Sequence, residues 1–164
     1  MFRLSNLIKS TFQDTKSRTL NGSIMIWNFT NRCNLLCHHC YSKADANEKD
    51  TLTFDEIKET IQRLKAGGVN FVIFSGGEPL LRKDIFDIAQ CMKENGIMTY
   101  LSTNGIYISP KNVDKIIDTF NYIGISIDGI EEVHDQFRGQ KGAYAKSIEA
   151  IKLKVSIILS PFLG

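Results

Sequence analysis

The segment Asn70–Pro79, NFVIFSGGEP, joins a run of apolar residues to a glycine-rich turn. A continuous apolar run is typical of a strand that is covered on both faces, as in a parallel sheet. Parallel sheets place their chemistry at the carboxyl ends of the strands, and Gly76-Gly77-Glu78-Pro79 directly follows this strand. The segment therefore predicts a central parallel strand with a functional loop at its end.

Further strands are predicted on both sides of this segment, and stretches with helical periodicity lie between them. The predicted strands cover 23–29, 70–74, 97–102, 122–127 and 155–159. The predicted helices begin at Phe54 after a capping box, cover 84–95, begin at Ser109-Pro110, and cover 144–154. The alternation predicts an α/β fold with a parallel sheet and right-handed crossovers. No turn residue separates the last helix from the last strand, although such a connection usually takes about 2–6 residues.

Length limits the architecture. A complete parallel β/α barrel has about 250 residues, so this chain holds only about five β/α units. The 164 residues therefore predict an incomplete parallel (β/α) barrel over 23–164, preceded by an N-terminal extension over 1–22.

Charge and hydropathy limit the partners. Twenty basic and eighteen acidic residues give a net charge of +2 without long like-charge blocks, which argues against a nucleic-acid partner. The chain has no apolar signal-peptide core and no membrane-spanning run of about 18 apolar residues. We therefore expect no membrane association and a cytoplasmic location, where thiols stay reduced.

Chemically active residue types follow each of the first four predicted strands. The segments are Asn31–Cys40, Ser75–Pro79, Thr103-Asn104-Gly105 and Ser126-Ile127-Asp128-Gly129. Because parallel strands end at the same edge of a sheet, these segments are predicted to meet at one rim.

Three cysteines, Cys33, Cys37 and Cys40, lie within eight residues of the first segment. Such crowding indicates a metal site rather than a disulfide framework. Three thiolates cannot complete a four-cysteine set, so an iron–sulfur cluster held by them keeps one iron without a protein ligand. That open iron is a place where a substrate or cofactor can bind.

The alternative is a zinc site in which His38 or His39 supplies the fourth ligand. Both histidines lie too close to the flanking cysteines to favour a closed tetrahedron. His134 is interpreted as a surface residue, and Cys91 as a core thiol without a role.

Cys33-x-x-x-Cys37-x-x-Cys40 followed by Gly76-Gly77-Glu78-Pro79, on a parallel β/α pattern, resembles the radical S-adenosylmethionine superfamily. The resemblance implies a 4Fe–4S cluster on the three cysteines, with S-adenosylmethionine chelating the fourth iron. It also implies reductive cleavage of S-adenosylmethionine to methionine and a 5′-deoxyadenosyl radical, which abstracts hydrogen from the substrate. The electron would come from a ferredoxin-like or flavodoxin-like protein.

The resemblance also implies a set of residues that contact S-adenosylmethionine. Gly76, Gly77 and Glu78 would meet the methionine amino group, and Arg138 would meet the carboxylate. His39, before the third cysteine, would meet adenine. Four further residues would reach the ribose or carboxylate region: Ser102, Asn104, Ser126 and Asp128. Asn104-Gly105 and Asp128-Gly129 are also ordinary turn dipeptides, and the alternative for Arg138 is a solvated loop arginine.

A narrower resemblance concerns the substrate. Met1–Asn6 (MFRLSN), Cys37–Tyr41 (CHHCY) and the segment His134–Tyr144 resemble the radical enzymes of heme d1 biosynthesis, which modify propionate side chains of a siroheme-derived tetrapyrrole. The later two motifs also resemble SPASM-type peptide maturases. In both groups a final strand and commonly a C-terminal domain follow, and both are missing from these 164 residues. A non-catalytic iron–sulfur or zinc fragment is the third alternative.

Overall fold

The computed structural model describes residues 23–159, with side chains described over 23–153. Four strands and five α-helices alternate along this part of the chain. The strands are β1 (Ser23–Thr30), β2 (Val69–Gly76), β3 (Met98–Thr103) and β4 (Tyr122–Ile125). The helices are α1 (Phe54–Ala66), α2 (Ile85–Glu94), α3 (Val113–Thr119), α4 (Glu131–Arg138) and α5 (Ala143–Leu159), and a short 3₁₀ helix covers Pro79–Leu81. The extension predicted over 1–22 lies outside the described residues.

The strands form one parallel sheet in the order β1-β2-β3-β4. The register aligns Trp27 with Phe74, Phe74 with Leu101, and Leu101 with Ile123. Strand order follows chain order because each crossover returns the chain to the adjacent position. The predicted α/β class and parallel sheet are confirmed.

Helices cover one face of the sheet. Val72, Phe74 and Leu101 are fully buried there against Ile57 of α1 and Ile88 of α2. The other face of the sheet is exposed at β1, where Ile24 and Ile26 are 48% and 62% exposed. The helix-covered face of the sheet supplies the core. Because the strands are parallel, their carboxyl ends lie at the same edge of the sheet.

The capping box predicted before α1 is present. The Glu56 backbone N–H donates to Thr53 Oγ1 at 3.3 Å, and the Thr53 N–H donates to Glu56 Oε2 at 2.8 Å. Reciprocal bonds of this kind satisfy donors that the first turn of a helix leaves unpaired.

The strand predicted over 155–159 is wrong. The helix α5 continues through these residues to Leu159. The reason is local: no glycine, asparagine or turn pair interrupts the chain between Lys152 and Leu159, so nothing ends the helix. Within the described residues, no helix is long and apolar enough to cross a membrane.

One helix boundary differs from the prediction, and one helix was not predicted. The helix α3 begins at Val113 rather than at Ser109-Pro110, because the Asn112 side chain accepts from the Ser109 backbone N–H at 2.8 Å and holds a preceding turn. The helix α4 was not predicted, since its sequence EEVHDQFR is short and mostly polar, and its two apolar residues, Val133 and Phe137, are exposed. It ends at Gly139, which has the left-handed φ of 66°.

Candidate functional site

A cavity of about 180 Å³ lies at the carboxyl ends of the strands. Its wall combines thiols, glycine backbone and small polar side chains from all four strand-end segments. Among the residues predicted for the site, those on the wall are Cys33, Cys37, His39, Cys40, Gly76, Gly77, Ser102, Asn104, Ser126 and Arg138. The rim predicted from the strand pattern therefore coincides with one cavity.

The cysteine loop is folded tightly against its neighbours. Cys33 is buried, and its backbone N–H donates to the Asp45 carbonyl at 2.9 Å. The Cys40 N–H donates to the Cys37 carbonyl at 3.1 Å, which closes a turn between the second and third cysteines. This turn brings both thiols to the cavity on the same side as Cys33.

The thiols differ in acidity. Burial raises the pKa of the Cys33 thiol, and the negative charge of Glu78 adds to the rise. Burial also acts on Cys40, but hydrogen bonds from the Ser42 hydroxyl and the backbone of residues 42–44 outweigh it and lower its pKa. Cysteine binds a metal as the thiolate, so the lower pKa makes Cys40 easier to deprotonate for metal binding than Cys33.

The two glycines after β2 let this loop approach the start of the cysteine segment. The Gly77 N–H donates to the Thr30 carbonyl, and the Glu78 N–H donates to the Arg32 carbonyl, each at 2.8 Å. A Cβ on Gly76 or Gly77 would overlap the Thr30 or Arg32 carbonyl oxygen, respectively. Gly76 also has a φ of +131°, which side chains rarely adopt. Glycine is therefore required at both positions.

The Glu78 side chain lies behind the cavity wall. It is fully buried, and its carboxylate accepts hydrogen bonds from Leu80 N (3.1 Å), Thr103 Oγ1 (2.8 Å) and Asn104 N (2.9 Å). Burial raises the pKa of Glu78, while these donors and the charge of Arg138 oppose the rise. The carboxylate thus ties the glycine loop to the end of β3, and its oxygens face protein groups rather than the cavity.

Thr103 belongs to this arrangement and was not among the predicted site residues. Its hydroxyl donates to Glu78 Oε1 at 2.8 Å and accepts from the Gly105 N–H at 3.0 Å. Its carbonyl accepts from the Ser126 N–H at 3.0 Å. The sequence signal for Thr103 was its position between two predicted site residues, Ser102 and Asn104.

Asn104 forms the turn that its sequence allowed, and it also lines the cavity. Its Oδ1 accepts from the Ile106 N–H at 2.9 Å, as in a turn. Its Nδ2 donates to Asn34 Oδ1 at 2.9 Å, which links the end of β3 to the cysteine loop. The Ser147 hydroxyl of α5 donates to the Asn104 carbonyl at 2.8 Å.

Arg138 is not a solvated loop residue. It lies in the last turn of α4 and is 8% exposed. Its Nε is 2.6 Å from Asp128 Oδ2, and its Nη1 lies 3.9 Å from Cys37 Sγ. Asp128 pairs with this guanidinium and is not on the cavity wall.

His134 is buried at 1% exposure, so its interpretation as a surface residue is wrong. The Asp128 backbone N–H donates to its Nδ1 at 3.2 Å. Burial lowers the pKa of His134, and the Arg138 charge lowers it further. His134 is therefore a buried residue whose ring is held by the Asp128 backbone.

The donor set fits an iron–sulfur cluster. Cys33, Cys37 and Cys40 line one cavity, and cysteine thiolates are the usual ligands of iron–sulfur clusters. Because the loop supplies three thiols, a 4Fe–4S cluster held by them would keep one iron open to a further ligand.

Comparison with known proteins shows similarity over most of the chain. The model of the radical SAM superfamily matches residues 27–156. Pre-heme d1 synthase of Dinoroseobacter shibae is 39% identical over 157 residues, which cover 93% of this chain and 39% of that protein. Fe-coproporphyrin III synthase of Methanosarcina barkeri is 39% identical over 78% of this chain and 33% of that protein. The mycofactocin maturase MftC of Mycolicibacterium smegmatis is 31% identical over 82% of this chain and 35% of that protein.

Solved structures share the fold. A structure of anSMEcpe with bound AdoMet superposes with a TM-score of 0.66 at 22% identity, over 80% of this chain and 40% of that one. Streptococcus suis SuiB bound to the precursor peptide SuiA gives a TM-score of 0.69 at 18% identity, over 80% of this chain and 30% of that one. The 164 residues span two fifths or less of these relatives. By the match of its family model and by its fold, the chain belongs to the radical SAM superfamily, whose enzymes use a 4Fe–4S cluster and S-adenosylmethionine.

Proposed function

We propose that this chain cleaves S-adenosylmethionine reductively as part of heme d1 biosynthesis, acting on propionate side chains of a siroheme-derived tetrapyrrole. The observation that carries the proposal is the shared cavity. Three cysteine thiols, two glycines at which a Cβ would overlap a carbonyl oxygen, and a buried arginine surround it. The identity of 39% with pre-heme d1 synthase supports the choice of substrate.

Cys33, Cys37 and Cys40 would hold the cluster. The cluster with S-adenosylmethionine supplies the radical chemistry when bound. The protein holds the ligands by the turn between Cys37 and Cys40 and by the backbone bond that pins Cys33 to Asp45. Fixed ligands reduce the freedom that binding must otherwise remove.

The residues around the cluster ligands would bind S-adenosylmethionine. Backbone at Gly76 and Gly77, which line the cavity, suits the methionine amino group, because glycine has no side chain that covers its own backbone. The hydroxyls of Ser102 and Ser126 lie on the same wall and suit polar groups of the ribose. The guanidinium of Arg138 suits the carboxylate, since it presents several N–H donors beside the cavity. Glu78 and Asp128 would act from behind these residues by holding them in place.

Peptide maturation is the second candidate. The mycofactocin maturase MftC is 31% identical over 82% of this chain, and SuiB, which shares the fold, has been solved bound to its precursor peptide. An electron donor of the ferredoxin or flavodoxin class and a cytoplasmic location belong to both candidates.

The test uses the anaerobically reconstituted chain with S-adenosylmethionine, dithionite and a siroheme-derived tetrapyrrole whose propionate side chains carry deuterium. We expect 5′-deoxyadenosine that contains deuterium, because hydrogen abstraction transfers the label. Cys37→Ala is the matched control and should form none. Unlabelled 5′-deoxyadenosine from the wild-type chain, with the tetrapyrrole unchanged, would contradict the proposed substrate.

A further inference from the structure

An ion pair between a buried arginine, Arg138, and a partly exposed aspartate, Asp128, lies against one of the predicted cluster ligands. The guanidinium of Arg138 places Nε 2.6 Å from Asp128 Oδ2 and Nη1 3.9 Å from Cys37 Sγ. The arginine side chain is 10% exposed and that of the aspartate 25%. A cation is therefore fixed beside one cysteine sulfur, in a setting where water screens its charge only in part.

Surrounding contacts hold this pair in one orientation. The Asp128 backbone donates to Nδ1 of the buried His134, and the His134 ring lies 5.8 Å edge-on from the ring of Tyr144. The His38 N–H donates to the Phe137 carbonyl at 2.9 Å, which ties the end of α4 to the cysteine loop. The residue before the arginine is thus bonded to the residue after Cys37, and the two segments cannot separate freely.

We propose that the Asp128–Arg138 pair raises the reduction potential of the cluster by holding a cationic N–H donor on the sulfur of Cys37. This inference rests on the proposed function, since it requires a cluster on the three cysteines. Uptake of one electron from a ferredoxin-like or flavodoxin-like donor makes the cluster more negative, and a nearby positive charge and N–H donor favour that state. Arg138 has five N–H donors, so contact with the sulfur and Asp128 leaves others for S-adenosylmethionine.

Asp128 is a positioning residue in this proposal, and its charge makes the role testable. Its negative charge by itself disfavours the extra electron, so simple loss of that charge would raise the potential. Loss of the positioning role has the opposite sign, because the released guanidinium turns away from Cys37. The direction of the change in Asp128→Asn therefore separates the two effects.

The experiment reconstitutes the wild-type chain, four test variants and one control variant anaerobically, measures iron content, and follows reduction of the cluster by EPR-monitored potentiometric titration. The variants are Asp128→Asn, Arg138→Gln, Arg138→Lys and the double variant Asp128→Asn/Arg138→Gln. Glu132→Gln is the matched control, since it removes one exposed carboxylate from the same region. Arg138→Lys keeps the charge and covers the case in which Arg138→Gln fails to fold.

We expect a lower potential for Asp128→Asn and Arg138→Gln, a smaller decrease for Arg138→Lys, and the wild-type value for Glu132→Gln. In the double variant, loss of Asp128 should cause no further decrease, because it acts through Arg138. A raised or unchanged potential in Asp128→Asn, with full iron content, overturns this inference and leaves the proposed function standing. A wild-type chain that binds no cluster overturns both.

Discussion

Replacing Glu78 by glutamine tests the buried carboxylate that joins the glycine loop to β3. In the wild-type chain this group accepts from Leu80 N, Thr103 Oγ1 and Asn104 N at 3.1, 2.8 and 2.9 Å. Glutamine has nearly the same shape but only one acceptor oxygen. If that oxygen keeps the first two bonds, the amide nitrogen faces the Asn104 N–H, and two donors meet inside the protein.

The magnitude follows from these contacts. A hydrogen bond to a charged group contributes about 1.5–3 kcal/mol, and a buried donor without a partner costs about 1–3 kcal/mol. Relief of carboxylate burial offsets part of this loss. We expect Glu78→Gln to lower the free energy of unfolding by about 2–3 kcal/mol, a large share of the roughly 5–15 kcal/mol that a typical domain has.

The assay is urea denaturation followed by the fluorescence of Trp27, the single tryptophan, which is 9% exposed in the folded chain. Glu59→Gln is the matched control, because it removes an exposed partner of Arg63 whose pairing contributes little. Equal free energies of unfolding for the two variants would refute the view that Glu78 organises the rim.

Three further predictions concern the glycine loop, the cluster ligands and α1. Gly77→Ala should lower the free energy of unfolding by about 1–3 kcal/mol through overpacking, while Gly67→Ala, whose Cβ meets its nearest atom at 3.4 Å, should not lower it. Equal urea midpoints for the two variants would contradict the close packing of Gly77 against the Arg32 carbonyl. Cys37→Ala should lose reconstituted iron and Cys91→Ala should keep it, as measured by an iron assay; iron retained in the first would exclude that ligand. Thr53→Ala should lower the free energy of unfolding by about 1 kcal/mol, because α1 loses its N-cap. An unchanged thermal midpoint would contradict a stabilising role for this cap.

The sequence was sufficient to predict β1 to β4 and the rim, because apolar runs and the residues that follow them are local signals. Residues 155–159 misled the prediction, since a β-branched and apolar run also suits a helix when no turn residue precedes it. The helix α4 was missed because most of its residues are polar, and its position depends on contacts with the cysteine loop that no local pattern encodes.

Within the site, the sequence predicted which segments meet but not where each side chain points. Glu78 was expected to contact the ligand, yet its carboxylate is turned toward Thr103 and Asn104. Arg138, in the last turn of α4, is buried and pairs with Asp128, which precedes the first turn of the same helix, and only the fold creates this pairing. The Met1–Asn6 motif lies outside the described residues, so the narrower resemblance that it supports remains a prediction.

The central claim is that the three cysteines hold a redox-active cluster that cleaves S-adenosylmethionine. The most direct measurement is the iron and sulfide content of the anaerobically reconstituted chain, combined with 5′-deoxyadenosine formation after reduction. We expect about four irons and four sulfides per chain, as a 4Fe–4S cluster requires, and 5′-deoxyadenosine only when reductant is present. One bound zinc ion per chain and no cleavage would contradict the claim.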